Sequence, residues 1–176
     1  MTYWLIPMDD LPQEAKYTVD SSSLIYIFNQ GTGRFYKGIF PSLWNDLENL
    51  FEEQKAISHK MVQKELEQGD DDLAEWVKAH PEYFYENIPE EAPIIDIIAK
   101  EVSPEFVTRS TKPEYADPWI IAQAKYGNLI LVNEEVRSLN PRPKKNFKIP
   151  DVCKDEHIEV ETTDLFHLIL TENWSY

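Results

Sequence analysis

The amino-acid sequence predicts an α/β domain in which a mainly parallel sheet is covered by helices on both faces. Short β-prone runs alternate along the chain with segments of helical periodicity, a pattern typical of parallel sheets. The run NLILVN at 128–133 is apolar without interruption, as expected for a strand buried on both faces. The 176 residues suit one domain, 1–176, in which 1–16 is an N-terminal extension and 17–170 is the core.

Strands and helices alternate in the first half of the chain. A β-prone run at 17–19 stops at Asp20, and the segment SSSLIYIF that follows it has apolar residues at helical spacing. A helix begins at Pro41, where leucines recur every three or four residues, and a buried strand is expected at 56–58. Two further helices are predicted at 61–68 and 72–79.

The second half of the chain predicts further helices and two strands. The isoleucine-rich segment 94–102 indicates a well-buried helix. Asp117 and Pro118 have the pattern of an N-cap residue followed by proline at the first helical position, so a helix is expected over 119–126. The remaining predicted elements are strands at 128–133 and near 158–160 and a helix at 163–170.

The charge is large, negative and unevenly distributed. The 17 Lys and Arg against 32 Asp and Glu give a net charge of −15, which excludes a basic protein that coats nucleic acid. Residues 64–91 contain ten acids and two lysines, whereas 137–148 contains five basic residues and no acid. The sequence therefore predicts one acidic face and one basic loop.

The cysteine and histidine content excludes two other classes of protein. Cys153 is the only cysteine, so an internal disulfide is impossible, and the four histidines form no zinc-binding spacing with it. The opening MTYWLIPM lacks a basic segment and is too short for a membrane span, so it predicts neither a signal peptide nor an anchor. A cytoplasmic protein without membrane association is the expectation.

Five acidic residues lie where a parallel sheet places its ligand sites, beyond the carboxyl ends of the strands. Asp20 follows the first strand, Glu65 lies in the helix after the second, Asp117 begins the helix before the third, and Glu134 and Glu135 follow that third strand. Clustered carboxylates repel one another unless a cation compensates, and their hard oxygens select Mg²⁺ or Mn²⁺. A metal held in this way beside a cleft is typical of phosphodiester hydrolysis.

Each of these acids also has a purely structural interpretation. Helix capping alone explains Asp20 or Asp117 about half the time, and Glu65 could be a solvated helix charge. Glu134 and Glu135 could be ordinary loop acids. The informative observation is that all of them are expected at one edge of the sheet.

Four sequence blocks stand out along the chain: YTVDSSSLI at 17–25, VQKEL at 62–66, ADPWIIAQA at 116–124 and NLILVNEE at 128–135. In this order and at these distances they resemble the signature blocks of the PIN-domain ribonucleases, and the resemblance is closest to a subfamily akin to the VapC-type bacterial toxins. The resemblance implies a three-layer α/β/α sandwich with a mainly parallel central sheet. It covers roughly residues 17–170, and its first and third blocks are the most specific.

The resemblance also implies roles for individual residues. Asp20, Glu65 and Asp117 match the three core metal-binding acids of the family. Glu135 matches the fourth, with Glu134 as the open alternative. The chain departs from the family's pattern in this block, since an asparagine, Asn133, replaces the usual hydroxyl residue and Glu replaces the usual Asp.

The activity implied is cleavage of single-stranded RNA by water activated at Mg²⁺ or Mn²⁺, without a covalent intermediate. Many relatives are toxins paired with an antitoxin, and many form homodimers. The acidic stretch 64–91 would attract a basic partner, so a basic antitoxin is the expected partner here. On the substrate side, the candidate binding residues near these acids and in the basic loop are Ser22, Asn133, Arg137, Lys144 and Lys145. Arg109 and Lys112 are further cations that precede Asp117.

Two other functions are compatible with the sequence. The charge of −15 opposes RNA binding, which depends on Lys and Arg contacts to phosphate, and so favours a catalytically inactive PIN-like module that binds a basic partner protein. A phosphatase of another α/β family is less consistent, because position 22, two residues after Asp20, holds Ser22 in place of the second aspartate of phospho-aspartyl chemistry.

Overall fold

The sheet consists of five parallel strands in the order β3-β2-β1-β4-β5. The computed structural model of the chain describes residues 11–29, 36–110, 114–136, 140 and 142–176. Helices flank the sheet, so the expected three-layer α/β/α sandwich is confirmed. The strands are β1 (Tyr17–Val19), β2 (Ala56–His59), β3 (Phe84–Tyr85), β4 (Ile130–Val132) and β5 (Thr162–Thr163).

Nine α-helices lie in the described part of the chain, and among them none is both long and apolar enough to cross a membrane. The first five are α1 (Ser21–Phe28), α2 (Pro41–Glu52), α3 (Lys60–Leu66), α4 (Asp72–Ala79) and α5 (Ile88–Ile97). The other four are α6 (Pro104–Thr108), α7 (Asp117–Gly127), α8 (Ile149–Cys153) and α9 (Leu165–Thr171). Short 3₁₀ turns at Pro81–Tyr83 and Lys144–Asn146 and a π-helical turn at Ile98–Val102 complete the regular structure.

The core lies where β1, β2 and β4 meet α7. Helix α7 packs against all three strands and against α5, and most of its apolar residues are fully buried. The helix ends at Asn128, whose left-handed backbone (φ 51°) is a common way to stop a helix. The short apolar strands predicted by the sequence are therefore the centre of the molecule.

Local side-chain caps determine where several helices begin. Asp71 and Ser103 each accept a hydrogen bond from the backbone amide three residues later, at 3.0 and 3.1 Å, and Asp164 does the same for His167 at 2.8 Å. Such caps satisfy amides that would otherwise have no partner in the first helical turn. Helix α4 accordingly has the bounds that the sequence predicts.

The prediction of one well-buried helix over 94–102 is wrong in its bounds and in its burial. Helix α5 begins earlier, at Ile88, and contains Pro93, and the chain then forms the π-helical turn. Of the four isoleucines that prompted the prediction only Ile98 is buried, and Ile97 is 38% exposed. Ile94 and Ile95 are partly buried, and Ile94 packs against the edge of the core.

The strand expected near 158–160 does not form. The amides of Ile158 and Glu159 both donate to the carbonyl of Asp155 at 2.9 Å, and Glu159 adopts a positive φ of 49°. These contacts form a turn after α8, a helix that the sequence pattern did not indicate. The edge strand is instead β5, which pairs with β4 through Leu131 and Thr162.

Candidate carboxylate site

Asp20 lies at the carboxyl end of β1, and within the described part of the chain only one of its carboxylate oxygens is paired. Its backbone amide donates to the carbonyl of Val132 at 2.9 Å, which ties it to the end of β4. Its Oδ2 accepts bonds from the amide and the hydroxyl of Ser22, at 3.1 and 2.6 Å. Its Oδ1 is buried and has no hydrogen-bond partner among the described residues. Helix capping therefore accounts for one oxygen and leaves the other available to a ligand.

Asp117 does not cap its helix, contrary to the sequence prediction. The N-cap residue of α7 is Ala116, which makes no side-chain capping bond, and Asp117 is the first helical residue. Burial, and then the negative charges of Asp20 and Glu135, raise the pKa of Asp117 to about 7. Helix capping therefore does not explain why an aspartate stands at position 117.

Three of the predicted acids lie close enough together to influence one another. Burial raises the pKa of Asp20, and the charge of Glu135 raises it further. Glu65 acts more weakly on Asp117, and its side chain is exposed on α3. The structure thus brings Asp20, Asp117 and Glu135 to one edge of the sheet, with Glu65 at the periphery.

The two consecutive glutamates after β4 point to different partners. Oε1 of Glu134 accepts a bond from the amide of Leu165 at 2.9 Å, at the start of α9, and from the hydroxyl of Ser23 at 3.3 Å. Glu135 accepts bonds from the amide of Ile149 and from Nζ of Lys148, both at 2.8 Å. Because Glu135 is the one whose charge reaches both aspartates, it is the better candidate for the fourth acid.

The carboxylate oxygens at this edge of the sheet suit a hard cation, although the side chains do not converge on a single metal position. Within the described residues, no three His, Cys, Asp or Glu side chains form a group that could hold a metal ion. Asp20 Oδ1 is nevertheless a buried carboxylate oxygen without a partner among the described residues, and burial and then like charges raise the pKa of Asp117. Both features are what a bound Mg²⁺ or Mn²⁺ would relieve.

Ser22 and Asn133 hold the acids in place. The Ser22 hydroxyl donates to Asp20 and accepts a bond from the amide of Glu134 at 3.1 Å, so it joins the end of β1 to the end of β4. The side-chain oxygen of Asn133 accepts a bond from the amide of Glu135 at 3.1 Å. These contacts give both residues a positioning role, and direct contact with a substrate stays a prediction.

Two cations of the basic loop are already paired with carboxylates. Lys148 binds Glu135 at 2.8 Å, and Arg142 binds the buried Asp151 at 3.1 Å. Each pair neutralises a positive charge that the sequence assigned to the attraction of a substrate. The positive potential of the loop is therefore weaker than its composition indicates.

Of the three loop residues predicted to bind substrate, the structure describes Lys144 and Lys145. Nζ of Lys144 donates to the carbonyl of Glu101 at 3.2 Å, which directs this side chain towards the π-helical turn. Lys145 is exposed. Arg137 lies outside the described residues. A role for Lys145 in substrate binding is compatible with its exposure and stays a prediction.

A groove of about 790 Å³ borders the fourth acid. It is lined by Glu134 and Glu135 on one side and by β5 and the start of α9, including Asp164 and His167, on the other. Asp20 and Asp117 are not part of its lining, so the groove adjoins the carboxylate site without containing it. Among the described residues, its lining contains the acids Glu134, Glu135, Glu161 and Asp164 and no lysine or arginine, which favours positively charged ligands.

A buried pair between His59 and Glu91 was not predicted from the sequence. His59 Nε2 and Glu91 Oε2 are 3.0 Å apart, and both side chains are almost completely buried. The amide of Met61 donates to His59 Nδ1 at 2.9 Å, so Nε2 carries the proton and donates to Glu91. The imidazole also stacks on Trp119, with 5.8 Å between ring centroids. No local pattern signals a pair whose members are 32 positions apart.

Cys153 is a second buried group beside the site. Burial raises the pKa of its thiol, and the charges of Asp20 and Glu135 raise it further. The thiol is therefore neutral and adds no further negative charge to the carboxylate site.

A family model described as a domain of unknown function (DUF4411) matches residues 17–176. A comparison with curated proteins and a comparison with solved structures give no match. The description of the family states no activity, so the chemistry of the carboxylate site is what indicates a function.

Proposed function

The chain belongs to the DUF4411 family, and we propose that it hydrolyses phosphodiester bonds of single-stranded RNA with the help of Mg²⁺ or Mn²⁺. One observation carries this proposal. Asp20 is buried and Asp117 is partly buried at one edge of a parallel sheet, both with raised pKa values, and Asp20 Oδ1 has no hydrogen-bond partner among the described residues. Buried carboxylates of this kind are costly to keep in a fold, and they are common where a site serves catalysis.

The proposed roles follow from the contacts of each acid. Asp20 and Asp117 would hold the metal, and Glu65 and Glu135 would complete its ligands directly or through water. When bound, the ion would lower the pKa of a water molecule and neutralise charge on the phosphate. Ser22 orients Asp20, and Asn133 orients the backbone of Glu135.

Asp117 and Glu135 each bring one more property to the reaction. With a pKa of about 7, the metal-free Asp117 exchanges a proton near neutral pH. Glu135 is bound to Lys148, and it would exchange this partner for the metal as the site fills. The lysine would then be free to contact the RNA backbone.

The resemblance to the PIN-domain ribonucleases supports the same reaction and extends it to partners. Its four blocks supply the three core acids, Asp20, Glu65 and Asp117, and a fourth acid, Glu135. On this basis we propose that the protein acts in the cytoplasm as the toxin of a toxin–antitoxin pair, as a homodimer. Its antitoxin would be a basic protein, attracted by the acidic surface around 64–91.

Incubation with a fluorescent single-stranded RNA in Mn²⁺ tests the proposed activity. We expect the wild-type protein to cleave the RNA and Asp20→Asn and Asp117→Asn to reduce the rate at least 100-fold. Asp96→Asn is the matched control, because Asp96 is exposed on α5 and pairs only with Lys100 among the described residues. Cleavage that survives in both site variants would contradict the proposed roles.

A second function, an inactive module that binds a basic protein, is favoured by one feature of the site. Glu135 is already neutralised by Lys148, and within the described residues no three acids form a metal-holding group. Titration calorimetry with Mn²⁺ separates the two functions. The nuclease binds the ion through Asp20, so heat of binding is expected for the wild type and not for Asp20→Asn. The module releases no heat in either case.

A further inference from the structure

A nucleic-acid substrate requires cations beside the carboxylate site, and most of the described cations there are engaged. Arg142 binds Asp151 and Lys148 binds Glu135, so two of the four described cations of the loop 137–148 are neutralised, and Lys144 and Lys145 remain. Arg109, at the end of α6, differs from them. It makes no ion pair with any described carboxylate.

Arg109 is nevertheless held in a defined position. Its Nη2 donates to the carbonyl oxygen of Phe147, and its guanidinium lies over the ring of Phe106, 4.8 Å from the ring centre. A carbonyl and an aromatic ring orient a guanidinium without cancelling its charge. The side chain is therefore an oriented, exposed cation whose other donors are available.

Tyr115 connects Arg109 to the carboxylate site. Its ring packs against the same Phe106, with 6.3 Å between ring centroids. Its hydroxyl is buried and has no partner of hydrogen-bond geometry among the described residues, although it lies near Asp117. A buried hydroxyl without an acceptor is costly and calls for a ligand or a water molecule.

We propose that Arg109 and Tyr115 form a phosphate-binding site beside the carboxylates, which receives the backbone of single-stranded RNA. This inference rests on the proposed ribonuclease function and names the residues that hold its substrate. The Arg109 guanidinium binds one backbone phosphate through its outward N–H groups, in the two-pronged manner that suits phosphate. The Tyr115 hydroxyl donates to a phosphate oxygen that lies next to Asp117.

The assignment explains how a protein of net charge −15 binds RNA. One oriented arginine attracts a phosphate at the point where the RNA must be cut. The surrounding acids repel RNA from the rest of the surface. The site would therefore contact few phosphates, and the binding would depend only moderately on salt.

Binding of a short fluorescent single-stranded RNA, measured by anisotropy in Mn²⁺ on an Asp20→Asn background that does not cleave it, tests the proposal. Arg109→Ala is expected to weaken binding roughly tenfold and to reduce the slope of log affinity against log salt by about 0.7. Arg109→Lys should restore that slope with only part of the affinity. Tyr115→Phe should weaken binding severalfold at an unchanged slope. Lys78→Ala, which removes an equal charge from the exposed surface of α4, should change nothing.

The outcomes distinguish this proposal from the proposed function. If the wild type cleaves RNA and Arg109→Ala changes neither binding nor KM, the phosphate site is wrong while the nuclease stands. If RNA binds without being cleaved, the nuclease is wrong, and the Arg109 and Tyr115 variants still decide the binding site. If RNA is neither bound nor cleaved, both proposals fall. Circular dichroism of each variant confirms that the fold is retained.

Discussion

At the scale of single residues, Asp20 and Asp117 show how one residue type serves two purposes at a helix start. Asp20 uses Oδ2 to cap α1 and keeps Oδ1 free of any described partner. Asp117 caps nothing, although it precedes a proline at the start of α7. A cap stabilises a helix by about 1 kcal/mol, so a capping gain offsets the burial of Asp20, whereas the partial burial of Asp117 has no such gain.

We predict that Asp117→Asn stabilises the metal-free protein at high pH. The pKa of Asp117 is raised from 3.8 to about 7, so the folded state holds a proton that the unfolded state loses between these values. Stability therefore falls as pH rises from about 4 to about 7, and the cost is complete above that range. The substitution should raise the free energy of unfolding by roughly 2–4 kcal/mol at about pH 8.

Urea denaturation in EDTA at about pH 8 and about pH 4 measures this effect. At the lower pH the carboxyl is protonated in the folded state, so the variant should gain little there. Equal gains at both pH values would show that the charge of Asp117 is not the cause.

At the scale of helices and strands, the His59–Glu91 pair joins the elements that carry the site. His59 ends β2 and caps α3, which bears Glu65, whereas Glu91 belongs to α5. Trp119, on which the imidazole stacks, lies in α7 two residues after Asp117. The pair therefore fixes the relative positions of three helices behind the carboxylates.

We predict that His59→Ala destabilises the protein strongly, because it leaves Glu91 buried without its donor. Loss of one partner of a buried pair costs about 3–5 kcal/mol. His157→Ala is the matched control, since His157 forms a comparable contact with Asp155 at an exposed position, where the cost should be at most about 1 kcal/mol. Urea denaturation measures both. Similar losses for the two variants would contradict the importance assigned to the buried pair.

At the scale of the whole molecule, one contact joins the beginning of the described core to its end. The Tyr17 hydroxyl and Nζ of Lys16 both donate to Glu172, just beyond α9, and the lysine contact is 2.9 Å long. These residues are more than 150 positions apart, so the contact joins the start of the central strand β1 to the end of α9. The pKa of Glu172 is lowered by these two donors against the opposing effect of burial.

We predict that Glu172→Ala loosens α9 and lowers the free energy of unfolding by about 1–3 kcal/mol, the usual contribution of hydrogen bonds to a charged group. Asp96→Ala, which removes an exposed ion pair on α5, should cost less than about 0.5 kcal/mol. Denaturation measures stability, and amide hydrogen exchange locates the effect. Unchanged exchange in α9 would show that the contact does not hold this helix.

The sequence alone determined the features that depend on neighbouring residues. The apolar runs predicted β1 and β4, helical spacing predicted α2 and α4, and the order of acids along the chain indicated a carboxylate edge. Such features follow from backbone preferences, capping and periodicity, which act over a few residues. They were sufficient to predict the fold class and to bring Asp20 and Asp117 to one edge.

Only the tertiary structure decided the features that depend on distant contacts. It determined that Glu135 reaches the aspartates while Glu134 holds α9, that Arg142 and Lys148 are paired, and that His59 is bound to Glu91. It also placed the edge strand after 160, in a position set by pairing with β4. The physical reason is that the burial of a side chain and its choice of partner depend on which distant segments of the chain come into contact. Local sequence patterns do not determine those contacts.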